Sequence, residues 1–103
     1  MQQINCSILL SVYHREKPEY LRQCLDSVFS QTFRASEIIL VGDGPLTEAL
    51  DTMIDCYRNN YPELLFVPLK ENRGLGLALN EGLRHCHNDL VMRMDTDDIC
   101  YPN

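Results

Sequence analysis

No apolar run in this chain approaches the ~20 consecutive residues that a membrane-spanning helix needs. The opening Met1-Gln2-Gln3-Ile4-Asn5 also lacks the charged and apolar regions of a secretory signal. Both absences predict a soluble, cytoplasmic segment, with any membrane association left to a full-length protein. Paired cysteines are missing too. Cys6, Cys24, Cys56, Cys86 and Cys100 are odd in number, widely spaced and free of any Cys-x-x-Cys, so reduced thiols are expected in place of a disulfide framework. Positive charge is scarce, with nine Lys and Arg against fifteen Asp and Glu and a net charge of −6. That balance argues against nucleic acid or anionic membranes as partners. A phosphate ligand stays open, because a bound metal inverts the local sign. No repeat, low-complexity tract or linker divides the 103 residues, which suffice for one domain and not for two.

What is present alternates between two periodicities. Ile4 to Tyr13 carries the nearly continuous apolar run Ile8, Leu9, Leu10 and Val12, the pattern of a strand buried on both faces. Pro18 then suits a first helical turn, and Tyr20, Leu21, Cys24, Leu25 and Val28 recur at helical spacing up to about Gln31. Glu37-Ile38-Ile39-Leu40-Val41 is a second apolar strand, stopped by the turn formers Gly42-Asp43-Gly44-Pro45. Leu46, Leu50, Met53, Ile54 and Tyr57 form a second helical stripe, with Thr47 available as its cap. Leu64 to Leu69 is a third strand, in which Pro68 predicts an edge position or an early end. Leu75, Leu79, Leu83 and Cys86 make a third helix, and Asp89 to Met94 a fourth strand. Four strands alternating with three helices predict parallel pairing and an α/β fold, a three-layer α/β/α sandwich around a mainly parallel four-stranded sheet.

Directly after the fourth strand, Asp95, Asp97 and Asp98 arrive within four positions. Such a cluster repels itself unless a cation sits among the carboxylates, and oxygen-only ligands suit Mg²⁺ or Mn²⁺. The plain alternative is a solvated acidic loop making turn hydrogen bonds. In open parallel sheets ligands bind outside the carboxyl ends of the strands. Here those ends are Ser11 to His14, Asp43 to Gly44, Lys70 to Gly74 and Asp95 to Asp98, so four polar clusters are expected on one rim. Asp43, bracketed by glycines, suits either a turn that bonds its own backbone or a carboxylate offered to a base or ribose. Tyr13 is a candidate to flank a base, or core edge. Arg73 and Arg93 are surface charges or phosphate partners.

Three other signals carry little. Gly74-Leu75-Gly76 begins like a dinucleotide fingerprint, but Leu79 stands where the third small residue belongs and the segment follows the third strand. His85, Cys86 and His87 lack a second ligand pair at zinc-finger spacing. No nucleophilic Ser or Cys has a base that can be placed beside it.

Five blocks together resemble a known family. They are Ser7 to Tyr13; Tyr20 to Val28 with Gln31-Thr32-Phe33; Glu37 to Gly44; Glu71-Asn72-Arg73-Gly74; and Asp95-Thr96-Asp97-Asp98. In order and spacing they resemble the N-terminal half of inverting family 2 glycosyltransferases of the GT-A fold, a truncated, Rossmann-like half. The resemblance implies that residues 1–103 are the half that binds a nucleotide-diphospho-sugar donor, most simply a UDP-sugar. It implies that Ser11, Tyr13, Asp43 and Arg73 line the donor pocket, with Asp95 and Asp97 near ribose and metal. It also implies that Asp97 and Asp98 hold Mn²⁺ or Mg²⁺. Gly42 and Pro45 depart from the pattern, which usually has an acidic residue and a serine there. The family's acceptor half and its general base lie beyond the metal motif. No catalytic base is therefore assigned, and the 103 residues alone are expected to be inactive in transfer to a saccharide acceptor. The competing readings are a non-catalytic α/β interaction module that associates through an exposed sheet edge as a homo-oligomer, and a phosphohydrolase or phosphorelay domain. The last would want its key aspartate after the first strand, where this chain has Ser11 to His14.

Overall fold

The computed structural model describes residues 2–30 and 33–95. Its elements are β1 (Gln2–Val12), α1 (Pro18–Phe29), β2 (Phe33–Gly42), α2 (Glu48–Asn60), β3 (Leu64–Pro68), α3 (Leu75–Leu83) and β4 (Val91–Asp95). The two most continuously apolar strands take the centre, where both faces are covered. The strand order is β3-β2-β1-β4 with every pair parallel. Leu9, Leu10, Ile39 and Leu40 are fully buried there.

Alternation along these strands divides the core. Ile8, Leu10, Val12, Ile38 and Leu40 pack against Leu21, Cys24, Leu25 and Val28 of α1 and Leu50 and Ile54 of α2. Leu9, Ile39, Val41 and Val67 point the other way and meet Ala78 of α3. Two helices therefore cover one face and one covers the other, giving the expected three layers. Thr47 caps α2 as its position suggested, its hydroxyl oxygen accepting from the Leu50 amide at 3.3 Å. Pro68 is the last residue of β3, an edge strand, where the missing N–H breaks no ladder bond.

The structure also differs from the sequence pattern in places. Tyr20 is 41% exposed, with the Lys17 ammonium 5.3 Å from its ring centroid, and the buried stripe of α1 starts at Leu21 and runs on to Phe29. Phe29 stacks on Tyr61 with centroids 3.7 Å apart. Tyr57 donates its hydroxyl to the Asp26 carboxylate, and burial followed by that bond raises the phenol well above its usual range. α3 ends at Leu83, short of Cys86, because its last turn closes through i to i−3 bonds from Arg84, His85 and Cys86. Among the described side chains of α3 the buried positions are Ala78 and Gly82, and Leu79 and Leu83 are only half-buried. Small residues let α3 lie close on the sheet. β4, at the other edge, begins at Val91 and leaves Leu90 and Met92 exposed. Cys6, Cys56 and Cys86 carry free thiols.

Candidate functional site

Parallel strands of matched direction bring their carboxyl ends to one rim, and short backbone bonds extend that alignment past the strands. The Asp43 amide donates to the Val12 carbonyl at 2.7 Å, and the Leu69 amide to the Gly42 carbonyl at 2.8 Å. The segments after β1, β2 and β3 are thus held side by side. Asp43 is only 4% exposed. One of its carboxylate oxygens accepts from the Arg73 amide at 2.7 Å and the other from the Gly74 amide at 3.0 Å. Gly74 is the N-cap of α3 and has no side chain to offer, so the carboxylate reaches the positive end of that helix from another loop. The sequence offered a turn role and a ligand role for Asp43, and the structure adds a third, the fastening of a distant loop.

Two glycines make this contact possible. Gly44 has φ 85° and Gly74 φ 92°, a region that side-chain-bearing residues rarely adopt. A Cβ on Gly44 would also stand 2.6 Å from the Asn72 backbone nitrogen. The Asp43-Gly44 turn and the Asn72-Arg73-Gly74 loop are fitted to each other, which explains why both blocks are polar and glycine-rich.

The other sequence-predicted residues fall as follows. Ser11, half-buried, is paired in register with Asp95 across β1 and β4, so the first aspartate of the acidic stretch reaches the rim beside it. Tyr13 follows β1, is 43% exposed and meets His14 edge-on at 5.7 Å. Arg73 gives its amide to Asp43 and is one of the residues that line a cavity on the outer side of α3. Asp97 and Asp98 lie outside the described residues, as does the side chain of Asp95.

A second polar cluster, away from this rim, escaped the sequence reading. Glu37 accepts from the Ser7 hydroxyl at 2.5 Å and from the His87 amide, and its other oxygen lies 2.8 Å from His87 Nδ1. The Asn88 side-chain amide donates to Ser7 at 3.1 Å and to Ser36 at 2.8 Å, and Ser36 donates to the Cys6 carbonyl at 3.1 Å. This network ties the turn before β4 to the two central strands. A signal was available: Ser7 and Glu37 begin the most apolar runs of the chain, and polar groups there must find partners. Burial alone would raise Glu37, but the hydrogen bonds from His87 and Ser7 and the His87 charge together hold it below its usual value. Burial raises the neighbouring Cys86 thiol.

A carboxylate whose pKa is lowered by folding contributes stability that is complete above its unfolded value, near 4.5, and is lost as pH falls through the lower folded value. Thermal unfolding followed from pH 7 to pH 3 should therefore show the wild type losing its advantage over Glu37→Gln only below about pH 4.5. A constant difference across that range would assign Glu37 a purely steric role.

A three-layer parallel α/β domain with its polar strand ends and a fastened loop on one rim belongs to the class that binds ligands at the carboxyl edge of the sheet. The chain belongs to glycosyl transferase family 2, whose family model matches residues 7–103. It is 53% identical to the amylovoran biosynthesis glycosyltransferase AmsE of Erwinia amylovora over 93% of this chain and 36% of that protein. It is 40% identical to the UDP-Gal:alpha-D-GlcNAc-diphosphoundecaprenol beta-1,3-galactosyltransferase of Escherichia coli over 90% of this chain and 34% of that protein. The chain thus spans about a third of the length of these relatives. A mannosyltransferase from Pyrobaculum calidifontis, solved with GDP-Man and Mn²⁺, shares the fold with a TM-score of 0.82 over 96% of this chain and 29% of that one, at 22% identity.

Among the described residues, no helix is long and apolar enough to cross a membrane.

Proposed function

We propose that this chain is the donor-binding half of a glycosyltransferase, taking a nucleotide-diphospho-sugar along the rim formed by Ser11, Asp43, the Arg73-Gly74 loop and Asp95. The observation that carries the proposal is the register of β1 against β4. It sets Ser11 beside Asp95 at the same rim on which Asp43 holds the loop after β3. Family membership supplies the chemistry this rim would serve. In this reading Ser11, Tyr13 and Asp43 surround the nucleoside, Arg73 serves the donor site through the loop whose amide it gives to Asp43, and Asp95 and Asp97 approach the ribose and diphosphate. Asp43 acts partly through the loop it fastens.

Asp97 and Asp98 would hold Mn²⁺ or Mg²⁺. The fit is one of chemistry, since an oxygen-only donor set follows a strand whose last residue, Asp95, stands at the rim. Such an ion, when bound, supplies Lewis-acid stabilisation of the charge on a departing diphosphate. The E. coli relative's name favours a UDP-sugar as donor and a saccharide carried on a diphosphate as acceptor, and that of AmsE favours a polysaccharide as product. We assign no general base within these residues, so the proposed role of the chain by itself is donor binding in the cytoplasm, without completed transfer.

Titration with UDP, GDP and TDP, with and without Mn²⁺, tests this. Metal-dependent binding that Asp98→Ala weakens at least about ten-fold is expected, in keeping with the loss of a charged ligand. A folded chain that binds none of the three would remove the proposal. The exposed Leu90 and Met92 beside the open edge of β4 favour a second reading, a module that associates through that edge. Flat nucleotide titrations together with concentration-dependent self-association in light scattering would support it.

A further inference from the structure

α3 buries Ala78 and Gly82 against the sheet, so Leu77, Asn80, Glu81 and Arg84, spaced three and four residues apart, share its outer side. Together with Leu69, Lys70, Glu71 and Arg73 from the segment before the helix they line a cavity of about 380 Å³. Three of the nine cations of a chain with net charge −6 meet there and outnumber the two carboxylates, Glu71 and Glu81. The geometry points to a binding site for a phosphorylated saccharide, separate from the nucleotide's place at the strand ends.

The mixture of lining groups argues for this ligand over a bare anion. Lys70, Arg73 and Arg84 suit phosphate oxygens, Arg84 with the planar fork that pairs two of them at once. Asn80 and Glu81 supply acceptors of the kind that sugar hydroxyls donate to. Leu77, 56% exposed, offers an apolar surface to the C–H face of a sugar ring. The volume stands near the lower end of the roughly 300–1,000 Å³ of small-molecule sites, which favours one sugar with its phosphate over a whole nucleotide-sugar. Glu81 does not lock the site shut. Its contact with Arg84 is 3.7 Å long and their side chains are 36% and 79% exposed, so the pair is weak and Arg84 can exchange it for a ligand phosphate. The site also adjoins the rim, because Arg73 both lines the cavity and gives its amide to Asp43.

The test is an amide chemical-shift titration of the 103-residue chain with N-acetylglucosamine 1-phosphate, N-acetylglucosamine and inorganic phosphate, with UDP and Mn²⁺ as a separate arm. The sugar phosphate should produce saturable shifts at residues 70–73 and 77–84 and bind more tightly than either of its parts. Lys70→Gln and Arg84→Gln should each weaken it about ten-fold, the usual effect of losing one charge-assisted hydrogen bond, and Arg84→Gln should leave UDP binding unchanged. A water-soluble short-chain prenyl diphosphate of the same sugar binding more tightly still would assign a lipid-linked source, and equal affinity a free one. Inorganic phosphate binding as tightly as the sugar phosphate would overturn the saccharide assignment. Absent shifts at these residues, or affinity unmoved by Arg84→Gln, would overturn the site. Loss of the UDP arm alone would count against the donor proposal and leave this one standing.

Discussion

Asp43→Ala is expected to free the Arg73-Gly74 loop, lower stability by about 3 kcal/mol and reduce nucleotide affinity about 100-fold or more. The stability figure follows from two amide bonds to one buried carboxylate, at 2.7 and 3.0 Å, both lost together with the charge at the start of α3. The affinity figure is larger than for a lone contact because the loop carries Arg73, itself a proposed donor residue, and a loosened loop must be ordered again on binding. Asp43→Asn should rescue little. Its side chain has one acceptor oxygen, and its NH₂ would face an amide N–H, donor against donor. Hydrogen exchange gives the site-specific readout: the Arg73 and Gly74 amides should exchange faster in both variants while those of central β1 keep their protection. Unchanged exchange at Arg73 and Gly74 would refute the fastening role.

Gly82→Val is expected to cost about 3 kcal/mol or more, a large share of what a domain of this size has. A Cβ at Gly82 would lie 2.4 Å from Leu9 Cδ1 and 2.8 Å from Val41 Cγ2. Both neighbours are fully buried in the centre of the sheet and have no vacant space to move into, so α3 itself would have to lift. Gly76, in the same helix, is the control. A Cβ there meets nothing within 4 Å, so Gly76→Ala should stabilise by about 1 kcal/mol through helix propensity. Denaturant unfolding of the two variants should move in opposite directions. A wild-type midpoint for Gly82→Val would show that α3 does not lie as close to the sheet as described.

The parts of this fold that were legible in the sequence are those governed by burial periodicity. The run from Ile8 to Val12 and that from Ile38 to Val41 have the pattern of strands covered on both faces, and they form the centre of the sheet. Thr47 and Pro68 were read correctly because each acts through local backbone chemistry. α3 was harder, because its contact with the sheet is made by Ala78 and Gly82, residues that carry almost no hydrophobic signal, while its more visible leucines sit at the margins. The fastening by Asp43 was not legible for a different reason. Its partners are backbone amides thirty residues away, and an amide has no letter in a sequence. Ser7 and Glu37 posed a solvable question, since polar groups opening apolar strands need partners, but which turn supplied them depended on the register of β4.

That register has a kinetic consequence. β1 is the first strand in the chain and β4 the last described, yet they are neighbours, with Ser7 beside Val91 and Ser11 beside Asp95. While the chain emerges from the ribosome, β1 can pair with β2 early, but its other edge stays bare until almost every described residue has been made. Closing so long a loop carries an entropic cost before any contact rewards it, which slows folding of such sheets. The central, most apolar strand is therefore also the one longest exposed to unintended pairing, and Asp95 takes its place beside Ser11 only once β4 has docked.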